Sequence, residues 1–277
     1  MRSIRRALIR LEYNHPAYSG FLTVLRRIFF PLLCLQWDLI KLFFHKFAYN
    51  SSLSYLHPLG VLERVPRCSA DDPMIFLTLD VEWAKTDCTL RMLDTLKEKQ
   101  VCATLFLQGS DLANNRALVK RMVQDGHVCA NHTMTHPDLT ACSPTQVRQE
   151  LDSCRQVFRE TSGTDMIMAM RPPYGRLSPK LALQLHRMGY RCIHWSIHTA
   201  DYAEPMPIWE DYVSTLRWSL SNGGIMLQHD FSPATAENLG NIIDHCRARG
   251  FRFATRDEIL CCFTPPKMNF PKGRIAL

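Results

Sequence analysis

The chain has 277 residues, 46% hydrophobic and 21% charged, which suits one large domain or a domain with an appendage. Its eleven cysteines, odd in number and irregular in spacing, exclude a disulfide framework and lean towards a reducing compartment. The net charge of +7 belongs to residues 1–67 alone, with ten Lys/Arg against three Asp/Glu, while residues 68–277 carry 23 of each, so no nucleic-acid footprint spreads over the domain.

The basic appendage is also the most apolar part of the chain. "IRRALIRL" near the start is a short basic amphipathic piece, and "IFFPLLCLQWDLIKLFFHKFA" (Ile28 to Ala48) follows Arg26 and Arg27. The second stretch is long enough to cross a bilayer. Asp38 and Lys41 lie near its middle, however, and each costs about 2.5–3.5 kcal/mol on an insertion scale, which offsets the gain from the apolar residues. On a helical wheel Asp38, Lys41 and His45 share one narrow arc opposite the aromatics and leucines. The expectation is a helix lying in the membrane interface, with residues 1–60 on an anionic surface and the domain on the cytoplasmic face. A single span with the catalytic domain outside the inner membrane is the alternative. No cleaved signal peptide is expected.

"SADDP" (Ser69 to Pro73) reads as the linker into a domain spanning residues 68–277. From Met74 the pattern alternates. "MIFLTLD" reads as a buried strand, "TLRMLDTLKEKQ" as a helix, "VCATLFLQG" as a strand and "RALVKRMVQDG" as a helix. The alternation continues through "LALQLHRMGY", "RCIHWSI", "DYVSTLRWSL", "GGIMLQHD", "NIIDHCRARG" and "FRFATRDEIL". Strands and helices with short Gly-marked links predict an α/β fold on a parallel sheet. About seven units predict a distorted (β/α) barrel, with its chemistry at the C-terminal strand ends.

Those ends carry the polar residues. The first gives Asp80 and Glu82 in "LTLDVEW", and a later one leads into "NHTMTHPDL". His132 and His136 stand four residues apart, just over one helical turn, which lets two imidazoles converge on one metal ion. "MRPPYG", "HWSIHTADY" and "IMLQHD" follow at further strand ends. Five such ends in one barrel point to a single metal-centred site. His127 reads as structural. Trp195 and Trp209 have two readings, sugar stacking and core packing.

This set, in this order, resembles the polysaccharide deacetylase family (carbohydrate esterase family 4, the NodB homology domain) over about residues 74–262. "HTMTHPDL" and "RPPYG" are the most specific matches. The first motif departs: the family usually shows T-F-D-D-G-P, and this chain has T-L-D-V-E-W. The resemblance implies a distorted (β/α) barrel and removal of acetyl groups from N-acetylated sugars with a divalent metal. In the family the first Asp of that motif is the base and the second a metal ligand, and here Val81 takes the second place. Strand side chains alternate, so Glu82 returns to the face of Asp80. Glu82, His132 and His136 are therefore expected on the metal, with Asp80 as base. The exchange of the Asp80 and Glu82 roles stays open, as does a metal-free site.

By the same resemblance Arg171 holds the catalytic Asp, His229 is the general acid and Asp201 charges it; the Pro-Pro pair fixes the backbone, so the Tyr174 amide is expected to face the developing oxyanion. Trp195, Pro173 and Leu227 are assigned to substrate binding. His198 and Tyr202 stand where the family more often has Asp and Trp, which puts the sugar subsites in doubt. The expected ion is zinc, with cobalt, nickel or manganese as alternatives. The expected substrate is an N-acetyl or N-formyl amino sugar of a glycan or lipid-linked saccharide, although some relatives with a D-V-D or D-V-E opening hydrolyse other C–N bonds. The competing class is a glycan-binding or membrane scaffold protein that kept the barrel and lost turnover.

Overall fold

The computed structural model describes residues 53–66, 68–203 and 206–265. The amphipathic stretches of the appendage up to residue 52 lie outside the described residues. The chain divides into two units, Met1–Ser52 and Leu53–Leu277, of which the second holds everything that follows.

Among the described residues nine parallel strands form one curled sheet. They are β1 (Val61–Leu62), β2 (Met74–Val81), β3 (Thr104–Leu107), β4 (Val128–Asn131), β5 (Ala169–Met170), β6 (Arg191–Ile193), β7 (Ile197–His198), β8 (Gly224–His229) and β9 (Arg252–Phe253). The sheet order is β1-β6-β5-β4-β3-β2-β8-β7, with β9 on the lower end of β2. Strand β1, ahead of residue 68, pairs with β6. Among the described residues seven α-helices accompany the strands: α1 (Thr86–Glu98), α2 (Arg116–Gln124), α3 (Pro144–Ser162), α4 (Pro179–Arg187), α5 (Trp209–Ser219), α6 (Pro233–Ala248) and α7 (Arg256–Phe263). This is the distorted (β/α) barrel that the alternation predicts.

Side-chain alternation divides the core and positions the site. On β2, Ile75, Leu77, Leu79 and Val81 pack in the cluster that includes Met92 of α1 and Leu239 of α6. Phe76 belongs to a second cluster with Phe106, Val128, Ala130, Ala169, Ile193 and Ile225, one layer inside the curl of the sheet. Continuing every second residue along that inner face reaches Asp80 on β2, His132 past β4, Arg171 past β5 and His229 on β8. Four polar residues thus crown one apolar layer because each strand keeps its period of two.

The "RCIHWSI" stretch is two strands rather than one. β6 pairs with β5, and the chain then shifts so that β7 pairs with β8. The Arg171 guanidinium spans the break, with Nε donating to the Ile193 carbonyl at 3.0 Å and Nη2 to the His194 carbonyl at 3.2 Å.

Candidate active site

Asp80 is the anchored acid. Arg171, fully buried, donates from Nη1 to Asp80 Oδ1 at 2.6 Å and from Nη2 to the Thr78 hydroxyl at 2.8 Å. Its guanidinium carbon lies 4.2 Å over the Phe106 ring, so the charge is held between an aromatic face and a carboxylate. Burial opposes ionisation of Asp80, but the Arg171 charge, helped by His132 and His229, holds its pKa below the ordinary value. One carboxylate oxygen is committed to Arg171, and Oδ2 faces His132 Nε2 at 3.7 Å.

His132 and His136 come together, but not on a helical turn. The segment after β4 is a loop, with Thr133 at φ 68° and His136 at φ 60°, both left-handed. Polar contacts over-determine these two conformations. The Thr133 N–H donates to Asn131 Oδ1 at 2.8 Å, and the His136 N–H to the Thr133 hydroxyl at 3.0 Å. Glu150 of α3 accepts from the N–H groups of Met134 and Thr135 at 2.9 and 2.8 Å. The imidazole centroids end 4.9 Å apart.

Glu82 closes the group. Its carboxylate oxygen is 3.6 Å from His136 Nε2, and one ligand atom from each of Glu82, His132 and His136 lies within 4.8 Å of the others. The donor chemistry fits a divalent ion. His132 Nδ1 is 2.8 Å from the Arg171 carbonyl, which assigns the proton to Nδ1 and leaves the Nε2 lone pair for a metal. Burial drives the His132 pKa down to about 4 and lowers that of His136, which favours the neutral, metal-binding form of both rings. Burial pushes Glu82 up to about 7, with Asp80, Asp230 and Asp201 adding to the rise against the pull of His229. A bound cation would supply the counter-charge that the Glu82 carboxylate lacks.

On the other side His229 Nδ1 is 2.8 Å from Asp201 Oδ1, and Asp201 Oδ2 accepts the His229 N–H at 2.7 Å. Asp201, fully buried, also accepts from the Thr235 hydroxyl at 2.8 Å. Burial disfavours a charged His229 ring, yet the hydrogen bond and charge of Asp201 outweigh it and raise the pKa.

The remaining sequence candidates divide. Tyr174 stands at φ 59° in the Pro-Pro turn, its ring edge-on to His136 at 4.7 Å between centroids. Pro173 is buried beside it. Trp195 stacks near His198 at 6.3 Å and covers Gly175, where a Cβ would meet the indole at 2.6 Å; only glycine lets the RPPYG turn close on that ring. Leu227 is buried on the inner face of β8, two residues before His229. Trp209 packs against the outer core and edge-on to His245 at 6.0 Å, so the core reading holds for it. His127 is buried with Nδ1 accepting the Ala103 N–H, and burial pushes it down to about 4.

Sequence reasoning missed Asp230 and Glu150. Asp230, next to His229, faces away from it and holds the backbone of Glu82 from 148 residues away, which no local pattern signals.

Residues 68–193 match the family model described as polysaccharide deacetylase. The chitooligosaccharide deacetylase of Bradyrhizobium sp. (strain ANU 289) is 35% identical over 163 residues, covering 59% of this chain and 73% of the relative. The peptidoglycan-N-acetylmuramic acid deacetylase PdaA of Bacillus subtilis (strain 168) is 30% identical over 187 residues, covering 67% and 71%. The solved structure of Bacillus subtilis PdaA, a family 4 carbohydrate esterase, superposes with a TM-score of 0.67 at 27% identity over 75% of this chain and 88% of that one. A family 4 pseudoenzyme from Bacillus anthracis shares the fold too, with a TM-score of 0.63 at 23% identity over 70% and 66%. Fold alone therefore does not decide turnover; the residues at the strand ends must.

Proposed function

Because the chain belongs to the polysaccharide deacetylase family, carbohydrate esterase family 4, we propose that it is a metal-dependent hydrolase removing the N-acetyl or N-formyl group from an amino sugar of a glycan or lipid-linked saccharide. One observation carries the reading. A Glu-His-His donor set stands between an arginine-anchored carboxylate and an aspartate-paired histidine at the same end of the sheet.

Each side chain has a role in that reaction. Glu82, His132 and His136 hold the ion, and zinc suits a set with two imidazoles, with cobalt, nickel or manganese as alternatives. Bound there, a divalent ion would supply Lewis-acid polarisation of the amide carbonyl and would make a nearby water easier to deprotonate. Asp80, kept ionised by Arg171, takes a proton from the water that attacks the carbonyl carbon. The Tyr174 amide supports the oxygen as it gains charge. His229, whose protonated form Asp201 favours, gives its proton to the sugar nitrogen as the C–N bond breaks, leaving a free amine and a carboxylate. Leu227, Pro173 and Trp195 provide apolar surface for the acyl group and the sugar. The scaffold alternative drew its only support from Val81. That side chain packs in the outer core, and the Glu82 carboxylate stands in the donor set instead, which supports turnover.

The proposal extends to place. Residues 1–60 hold the domain on an anionic membrane at its cytoplasmic face, which suits a lipid-linked substrate. The test is mass spectrometry of lipid-linked and soluble N-acetylated glycans after incubation with the purified full chain. Loss of acetyl or formyl is expected, abolished by a chelator and restored by zinc. Turnover that survives complete removal of divalent ions would overturn the reading.

A further inference from the structure

The departure from the family's first motif raises a question of geometry. Strand β2 ends at Val81, so the backbone that aims Glu82 is no longer fixed by the sheet. Immediately afterwards Trp83 takes φ 63°, a left-handed conformation that a bulky residue adopts only when its surroundings enforce it. Two contacts do so. The indole Nε1 donates to the Gln108 carbonyl at 2.8 Å, fixing the Trp83 side chain. The Asp230 carboxylate takes the backbone on the other side: Oδ1 accepts the Glu82 N–H at 2.9 Å. Oδ2 accepts the Thr89 hydroxyl of α1 at 2.7 Å. Asp230 is itself fully buried and tied to β2, its own N–H donating to the Asp80 carbonyl at 3.0 Å.

We infer that Asp230 is a positioning residue for the metal ligand Glu82: it clamps the strained Glu82–Trp83 turn so that a glutamate one residue further along the chain brings its carboxylate to His132 and His136. A longer ligand from a later position needs a second anchor, because one methylene adds a rotatable bond and the strand no longer sets direction. The hydrogen bonds of the Asp230 carboxylate go to the Glu82 backbone and the Thr89 hydroxyl, not to a metal ligand's side chain. Asp230 acts through the backbone of Glu82, and the inference rests on the proposed metal site.

The test measures affinity for zinc, by competition with a chromophoric chelator, in the full chain and in Asp230→Ala, Asp230→Asn and Glu82→Ala. Loss of groups that orient ligands typically weakens metal binding about 10- to 100-fold, and that is the expectation for Asp230→Ala. Asp230→Asn keeps an acceptor oxygen for the Glu82 N–H and turns a donor to the Thr89 hydroxyl, so it should stay within about threefold of the parent, as one hydrogen-bonding group replaces another of the same shape. In a Glu82→Ala background Asp230→Ala should cost little further affinity, since the ligand it serves is gone. If the alanine chain does not fold, Asp230→Ser, too short to reach the Glu82 N–H, takes its place with the same expectation. Parental zinc affinity in a folded Ala or Ser chain overturns the inference while leaving the metal site intact. So does equal weakening in the alanine and asparagine chains. Absence of zinc binding in the parent overturns the site reading itself, and the inference with it.

Discussion

Replacing Arg171 by methionine tests the buried ion pair at the centre of the site. Arg171 is 0% exposed and Asp80 4%, so neither charge can turn to water when its partner is removed. The substitution keeps most of the apolar volume against Phe106 but removes the donor to Asp80 at 2.6 Å, the donor to Thr78 at 2.8 Å, and the donors to the Ile193 and His194 carbonyls across the strand break. Breaking a buried pair from one side costs about 3–5 kcal/mol, chiefly because the remaining charge is uncompensated. For a domain of this size each kcal/mol lowers Tm by about 2–4 °C, so a fall of roughly 6–20 °C is expected. Urea and thermal unfolding should be followed by circular dichroism with a chelator present, so that a bound cation does not replace the missing guanidinium. The second substitution Asp80→Asn in the same chain should restore part of the loss, since a neutral amide needs no counter-ion. A loss below about 1 kcal/mol, or one that Asp80→Asn deepens, would refute the assignment of Arg171 as the counter-ion of Asp80.

Three further outcomes follow from the site. Glu82→Ala should lose metal and activity together, while Asp80→Asn should keep the metal and lose about 10²- to 10⁴-fold in rate, as removal of a general base does; elemental analysis showing the reverse would exchange the two roles. Asp201 raises the His229 pKa, so the protonated ring is lost as pH rises through a value above the ordinary 6.5. Asp201→Asn removes that support against burial, and the alkaline limb of kcat/KM should move to lower pH; an unmoved limb would dissociate His229 from the acid step. Residues 1–60 should bind vesicles containing anionic lipid with an affinity that falls as salt rises, and protease added to intact cells should spare the domain; its digestion with the inner membrane unbroken would place the domain outside.

Much of this site is legible in the sequence because a parallel barrel converts period-two alternation into position. Asp80, His132, Arg171 and His229 each follow an apolar inner residue on their own strand, so reading the strand ends is enough to gather them. What the sequence concealed has physical reasons. The two histidines converge through left-handed backbone at Thr133 and His136, held by Asn131 and Glu150, and a four-residue spacing alone reads as a helical turn. The division of "RCIHWSI" between β6 and β7 depends on a guanidinium arriving from another strand. Asp230 falls on the wrong face by alternation, and its partner lies 148 residues away.

The electrostatics of the two flanking pairs bear on the choice between turnover and binding alone. A catalytic base must be ionised and its acid partner protonated at the same pH, which ordinary carboxyl and imidazole values barely allow at neutrality. In this chain the environments push the two groups apart. Arg171 and its neighbours hold Asp80 below its usual range despite full burial, and Asp201 lifts His229 despite the same penalty. Burying two ionic pairs at one end of a sheet costs stability that a well-packed apolar pair would not. A scaffold that merely presents a glycan-binding surface has no use for that cost, whereas a hydrolase that moves one proton from water and another to an amine needs both states poised at once. The presence of both pairs, together with a Glu82 carboxylate placed where Val81 offers none, therefore favours catalysis over binding alone.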